Sequence, residues 1–161
     1  MCFFTWLTLL SESEALLQVV IDWAQKTPAA EHDLLVARTV LQLLCLGKLR
    51  EAHIVLAGSM ERLFLFAPQS PTPSKVPPLL NLLRFFIAVV VNRAEWQSGA
   101  IMKELRTEYM SSLERDPKIL ELLDHSMLVL LGVRIPTAQA GAGGNMMQQL
   151  MQSLMQGQTQ M

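Results

Sequence analysis

Residues Glu31 to Leu46 read EHDLLVARTVLQLLCL. Apolar side chains fill positions 34–37, 40, 41 and 43–46, and only Arg38, Thr39 and Gln42 form a thin polar stripe. That period predicts a helix with almost no solvent face. Such a helix must be covered by neighbours on several sides, as an inner helix of a stacked helical array is. Asp33 is the expected N-cap, and Gly47 stands where a left-handed C′ residue would end the helix.

Outward from this stretch, every long segment repeats the 3.6-residue period and none alternates with period 2. A first helix is expected at about Glu14–Lys26, ended by Thr27-Pro28. A third is expected from Leu49 to Phe66, with Ala52, Leu56, Met60 and Leu63 on one face. Ala67–Pro78 holds five of the eight prolines and is excluded from helix. A fourth helix, Pro78–Asn92, is apolar almost all round and reads as interior. A fifth, Ala94–Leu113, turns Ile101, Met102, Leu105, Tyr109 and Leu113 inward. The sixth opens on Asp116-Pro117, an N-cap followed by an N1 proline, and Gly132 ends it. Apolar inner helices alternating with amphipathic outer ones predict an all-α fold, an α-solenoid of degenerate tetratricopeptide-like helical repeats.

Composition narrows the function. The chain has 161 residues, net charge −1 and 51% hydrophobic residues, with a mean hydropathy of +0.31. One domain with a sizeable core is expected, with apolar surface left over for partners. Near-neutral charge argues against nucleic acid, whose binding rests on Lys and Arg neutralising phosphates. Cys2 and Cys45 are too few for a disulfide framework and suit a reducing cytosol. Met1–Leu10 is too short to span a membrane and lacks the basic start of a signal peptide. Val76–Val91 is interrupted by prolines and carries Arg84, which a bilayer core disfavours.

The residues offer no chemistry. His32, His53 and His125 lie on different segments, and no metal-ligand spacing, nucleophile motif or P-loop occurs. Asp124-His125 is an adjacent pair that a helix points in different directions, and both read as surface residues. Gly141-Ala142-Gly143-Gly144 follows no strand and reads as a linker. No cofactor or metal is expected, and an enzyme is not. In the tail, Met146, Met147, Leu150, Met151, Leu154 and Met155 share one helical face that Asn145 could cap. Three readings stay open for it: a cap on the last repeat, disorder, or a binding face for apolar helices, since methionine adapts to varied surfaces.

The Val36-Ala37-x-x-Val40-Leu41-Gln42-x-Leu44-Cys45 core resembles the Golgi-to-ER traffic protein 4 family. Further pieces follow in the family's order. They are Pro78-Leu79-Leu80-Asn81 with Phe85, Tyr109 with Leu113, Arg115-Asp116-Pro117, Leu123-Asp124, Gly132-Val133, and Gly143-Gly144 before a Leu-rich end. Members are cytosolic scaffold subunits of the GET pathway, which delivers tail-anchored proteins to the endoplasmic reticulum membrane. The resemblance implies that residues 1–134 are the C-terminal part of a helical-repeat domain whose N-terminal repeats, which dock the targeting ATPase, are absent. Residues 135–161 would be a Gly-containing linker and Met-rich tail helix, here without the acidic tail of some members.

The resemblance further implies a cytosolic adaptor that holds a ubiquitin-like protein or a BAG-family co-chaperone by helix-in-groove contact, without entering the membrane. The binding surface is expected on the fourth to sixth helices and the Gly132–Pro136 turn. Phe85, Phe86, Tyr109, Leu123, Leu131 and Val133 are its expected contact residues, although core packing accounts for any of them equally well. The alternatives are another helical-repeat interaction module, such as a proteasome-lid or coat subunit fragment, or a Met-rich client-binding chaperone element.

Overall fold

A computed structural model describes residues 2–65, 76–94 and 96–134, with side chains placed from residue 12 onward except at residue 65. Among the described residues every regular element is helical. They are α1 (Cys2–Gln25), a 3-10 turn (Ala29–Glu31), α2 (His32–Cys45), α3 (Leu49–Ser59) with a π-helical continuation (Met60–Leu65), α4 (Pro78–Val91), α5 (Ser98–Glu108), α6 (Met110–Leu113) and α7 (Pro117–Leu131). None of these helices is long and apolar enough to cross a membrane. Residues 66–75 of the proline-rich stretch, Ile135 and Pro136 of the expected turn, and the whole Met-rich tail lie outside the described residues.

α2 is the centre, as its composition requires. Val36, Ala37, Val40, Leu41 and Leu44 have no exposed surface, and α1, α3, α4 and α7 all pack on the helix. Each such branched side chain contributes roughly 1.5–3 kcal/mol of burial. Arg38 and Gln42 remain exposed, so the polar stripe is the one strip that neighbours leave open.

Helix ends follow the local signals in four of five cases, α1 stopping at Gln25 just before Thr27-Pro28. Gly47 has φ +72, and its N–H bonds Leu44 O at 3.0 Å while Lys48 N–H reaches Leu43 O at 2.9 Å. This paired closure satisfies carbonyls the helix would otherwise leave open. Nothing lies within 4 Å of where a Gly47 Cβ would stand, so a side chain there meets only backbone strain. Gly47→Ala is therefore expected to destabilise by about 1 kcal/mol, read as a lower urea midpoint at unchanged slope. Gly132 closes α7 at φ +67. Asp116, with extended backbone, caps α7 by accepting from Lys118 N–H at 3.0 Å, ahead of Pro117.

Asp33 departs from its expected place. The 3-10 turn carries the chain into α2 at His32, and Glu31 holds the N-cap position without a side-chain cap bond. The Asp33 carboxylate instead takes Arg115. Other boundaries also differ. α1 begins at Cys2, not at Glu14. α3 gives way after Ser59 to the wider π turn, next to Gly58, where a Cβ would stand 2.3 Å from Leu17 Cδ2. The expected fifth helix starts only at Ser98 and breaks at Tyr109 (φ −95, ψ 11) into α5 and α6.

α7 lies beside α2 and runs parallel to it. At their beginnings Arg38 Nε meets Asp116 Oδ2 at 2.6 Å, and Arg115 Nη1 meets Asp33 Oδ2 at 2.5 Å. Toward their ends Cys45 Sγ stands 3.1 Å from Ser126 Oγ, which also reaches Leu122 O at 2.8 Å. Arg106 holds Asp124 with two bonds, at 2.8 and 3.1 Å, tying α5 to α7. Asp124 is thus a half-buried partner, whereas His125 is exposed. Arg93 donates to Leu130 O at 3.4 Å, which brings the end of α4 to the end of α7.

Candidate partner-binding groove

α4 supplies the surface. Its sequence, PLLNLLRFFIAVVV, has more apolar residues than its neighbours can cover. Leu79, Leu80, Leu82, Leu83 and Phe86 are fully buried, with Ile87, Val89 and Val90 nearly so. The remaining strip carries Arg84, Phe85, Ala88 and Val91. Phe85 is 50% exposed and Val91 64%. The helix expected to be interior therefore keeps one apolar strip open.

Beside that strip α3 and α4 enclose a groove. Its larger chamber, about 670 Å³, has Leu49, Ile87, Ala88 and Val91 as its apolar surface. Arg50, His53 and Arg84 supply its polar groups, with Asn92 at one end. A smaller chamber of about 230 Å³ continues past His53 and Arg84 to Leu56, Ala57 and Met60. Arg50, His53 and Ala57 of α3 and Met60, the first residue of its π-helical continuation, recur at spacings of three, four and three along one side. Such an apolar trough with a few polar groups at its edge can take side chains of an amphipathic segment.

The six expected contact residues do not form one surface. Phe85 stands on the open strip of α4, next in sequence to Arg84 of the groove. Phe86 and Leu123 have no exposed surface. Tyr109, Leu131 and Val133 are half-buried and pack on the core. Val133 closes on α5, where a Cβ at Gly99 would stand 3.1 Å from its Cγ2. His53, Ala88 and Val91, which line the groove, are not among the six. Arg84, noted only as an obstacle to a membrane reading, was the available signal, because a charge in an otherwise apolar helix needs a solvent-facing outlet.

An ion pair that shifts the titration of both its members lies away from the groove. That pair sits at the α2–α7 junction. The Arg38 guanidinium, by its hydrogen bond, holds the Asp116 carboxyl below its usual range, and Asp116 raises Arg38 in return. Among the described residues no group of three or more His, Cys, Asp or Glu side chains is placed to hold a metal ion.

A family model described as Golgi to ER traffic protein 4 matches residues 6–155. The Golgi to ER traffic protein 4 homolog of Oryzias latipes is 31% identical over 146 residues, 90% of this chain and 42% of the relative. That of Takifugu rubripes is 30% identical with the same coverage. The Homo sapiens homolog is 31% identical over 126 residues, 78% of this chain and 36% of the relative. The chain thus spans about two fifths of the length of the curated relatives it matches.

Proposed function

This chain belongs to the Golgi to ER traffic protein 4 family, and from that premise we propose that it is a cytosolic adaptor in the delivery of tail-anchored proteins to the endoplasmic reticulum membrane. Its helices act as degenerate repeats of a solenoid. Its task is to hold a ubiquitin-like protein or a BAG-family co-chaperone, with no bond made or broken. The open groove between α3 and α4, lined in part by exposed Val91, together with the exposed Phe85 on the same helix, carries this reading. A folded chain that leaves a concave apolar surface beside large exposed apolar side chains is suited to helix-in-groove contact.

The arrangement of the helices supports the repeat reading. α3 and α4 meet antiparallel, since Leu49 shares the larger chamber with Val91 and Met60 shares the smaller one with Arg84. α2 and α7 pack in parallel.

The test is binding of a recombinant ubiquitin-like or BAG-family partner to the full chain, with and without Ala88→Trp. Ala88 is half-buried on the groove surface, so the indole fills the trough from outside the core. Affinity is expected to fall at least about tenfold, as it does when a central pocket is lost, while helicity and melting temperature stay near the parent's. Tight partner binding untouched by Ala88→Trp would move the contact away from this groove. No binding of either partner class would end the adaptor reading.

A further inference from the structure

The charge around the groove says what kind of segment it takes. His53 and Arg84 stand where its two chambers meet, so both face any side chain that crosses from one to the other. Among the described residues no carboxylate lines either chamber, although the chain as a whole has net charge −1. The trough follows α3 from Leu49 to Met60, about 16 Å at the helical rise per residue, which is about three turns of an occupant helix.

We infer that the α3–α4 groove selects an acidic amphipathic helix from a partner: apolar residues one turn apart fill the two chambers, and carboxylates lie against Arg84 with His53 where the chambers meet. This rests on the adaptor reading and adds to it the chemistry of the partner's segment. The chain's own tail is the weaker occupant. Residues 135–161 contain no charged side chain, so their methionine face would match the apolar surface and leave the cationic edge unanswered. Concave chambers also suit inserted side chains better than a flat lipid surface. Charge at the edge of such a contact chiefly sets selectivity and association rate.

The experiment uses the full chain and fluorescein-labelled helical peptides of about fourteen residues, long enough to cover the trough. The peptides share one apolar stripe and carry Glu, Gln or Lys at the flanking positions. The Glu peptide is expected to bind tightest. Arg84→Glu should weaken it about five- to tenfold at low salt and reverse the order in favour of the Lys peptide. Because Arg84 is exposed, both effects should shrink at high salt. Equal affinity for all three peptides, or an order indifferent to Arg84→Glu, overturns the inference.

Tail occupancy also overturns it. In that case Met147→Asp with Met151→Asp in the full chain would raise affinity for every peptide alike. Arg84-dependent self-association in sedimentation, or Arg84-dependent binding to anionic phospholipid vesicles that excludes the peptide, would assign the groove to another occupant. The two readings fail separately. A partner that binds regardless of Arg84→Glu leaves the adaptor standing and removes this inference. Charge-selective peptide binding without any ubiquitin-like or BAG-family partner does the reverse.

Discussion

Phe86→Ala is expected to destabilise the chain by about 3–5 kcal/mol, the usual cost of emptying an aromatic site in a closed core. Its neighbour Phe85→Ala should cost less than about 1 kcal/mol, because the ring is already half in water. The two are adjacent on α4, and one helical step of about 100° separates a ring with no exposed surface from one that is 50% exposed. Phe86 belongs to the cluster that joins α4 to α2, α3 and α7. For a chain of this size each kcal/mol moves the melting temperature by about 2–4 °C, so Phe86→Ala should lower it by about 10 °C. Urea titration of both variants with far-ultraviolet circular dichroism is the check. Equal losses for the two would mean that the assigned faces of α4 are wrong. The same burial disqualifies Leu123→Asp as a probe of binding. A carboxylate placed at that fully enclosed position would unfold the chain before any partner was lost. Phe85, of the six residues chosen from the sequence, is the one whose removal leaves the core intact and can report on partner contact.

That asymmetry marks where the sequence was legible. Periodicity reports how much of a helix is buried, and α7, and α2 apart from its N-cap, are legible because their signals are local. The Gly47 and Gly132 ends, the Asp116-Pro117 start and the narrow polar stripe of α2 each depend on residues within a turn of one another. Periodicity does not report which neighbour covers which face. α4 is apolar almost all round, and in its own sequence only Arg84, one position before Phe85, hints that Phe85 and not Phe86 faces outward. The break at Tyr109 and the π turn after Ser59 were invisible for a related reason. Neither break holds a proline, and the π turn follows Gly58, where the chain closes on Leu17, a long-range neighbour the sequence does not reveal. The ion pairs were hidden too. Arg38 and Asp116 lie 78 positions apart, and Arg115 and Asp33 lie 82 apart. Asp33 looked like a cap because a lone Asp before an apolar run usually is one. Arg115, supplied from the far end of the chain, gives it another task. The family resemblance survived these misses because Arg115-Asp116-Pro117 and Val36–Cys45 contain the two sides of one junction.

That junction gives the second large effect. Asp116 is nearly buried, and one of its carboxylate oxygens caps α7 while the other meets Arg38. Asp116→Ala removes both interactions and is expected to cost about 1–2 kcal/mol, most of it from the lost cap. Arg38 is half-exposed and can hydrate once unpaired, so the ion pair contributes less than about 1 kcal/mol. Asp116→Asn separates the two terms, since Asn caps nearly as well as Asp but carries no charge; it should cost only the smaller amount. The pH dependence follows from the direction of the Asp116 shift. Its folded carboxyl titrates below the unfolded value of about 3.9. The stabilisation is therefore fully present above that value and is lost as pH falls through the lower, folded one. The difference in unfolding free energy between the parent and Asp116→Asn should stay constant from neutral pH down to about 5 and then close in stronger acid. Urea titrations of the two chains across that range would show it. A difference that widened with acid, or one already gone at pH 6, would mean that Arg38 does not stabilise the ionised carboxylate. The α2–α7 junction would then be held by the Arg115–Asp33 pair, by Cys45 and Ser126, and by apolar packing.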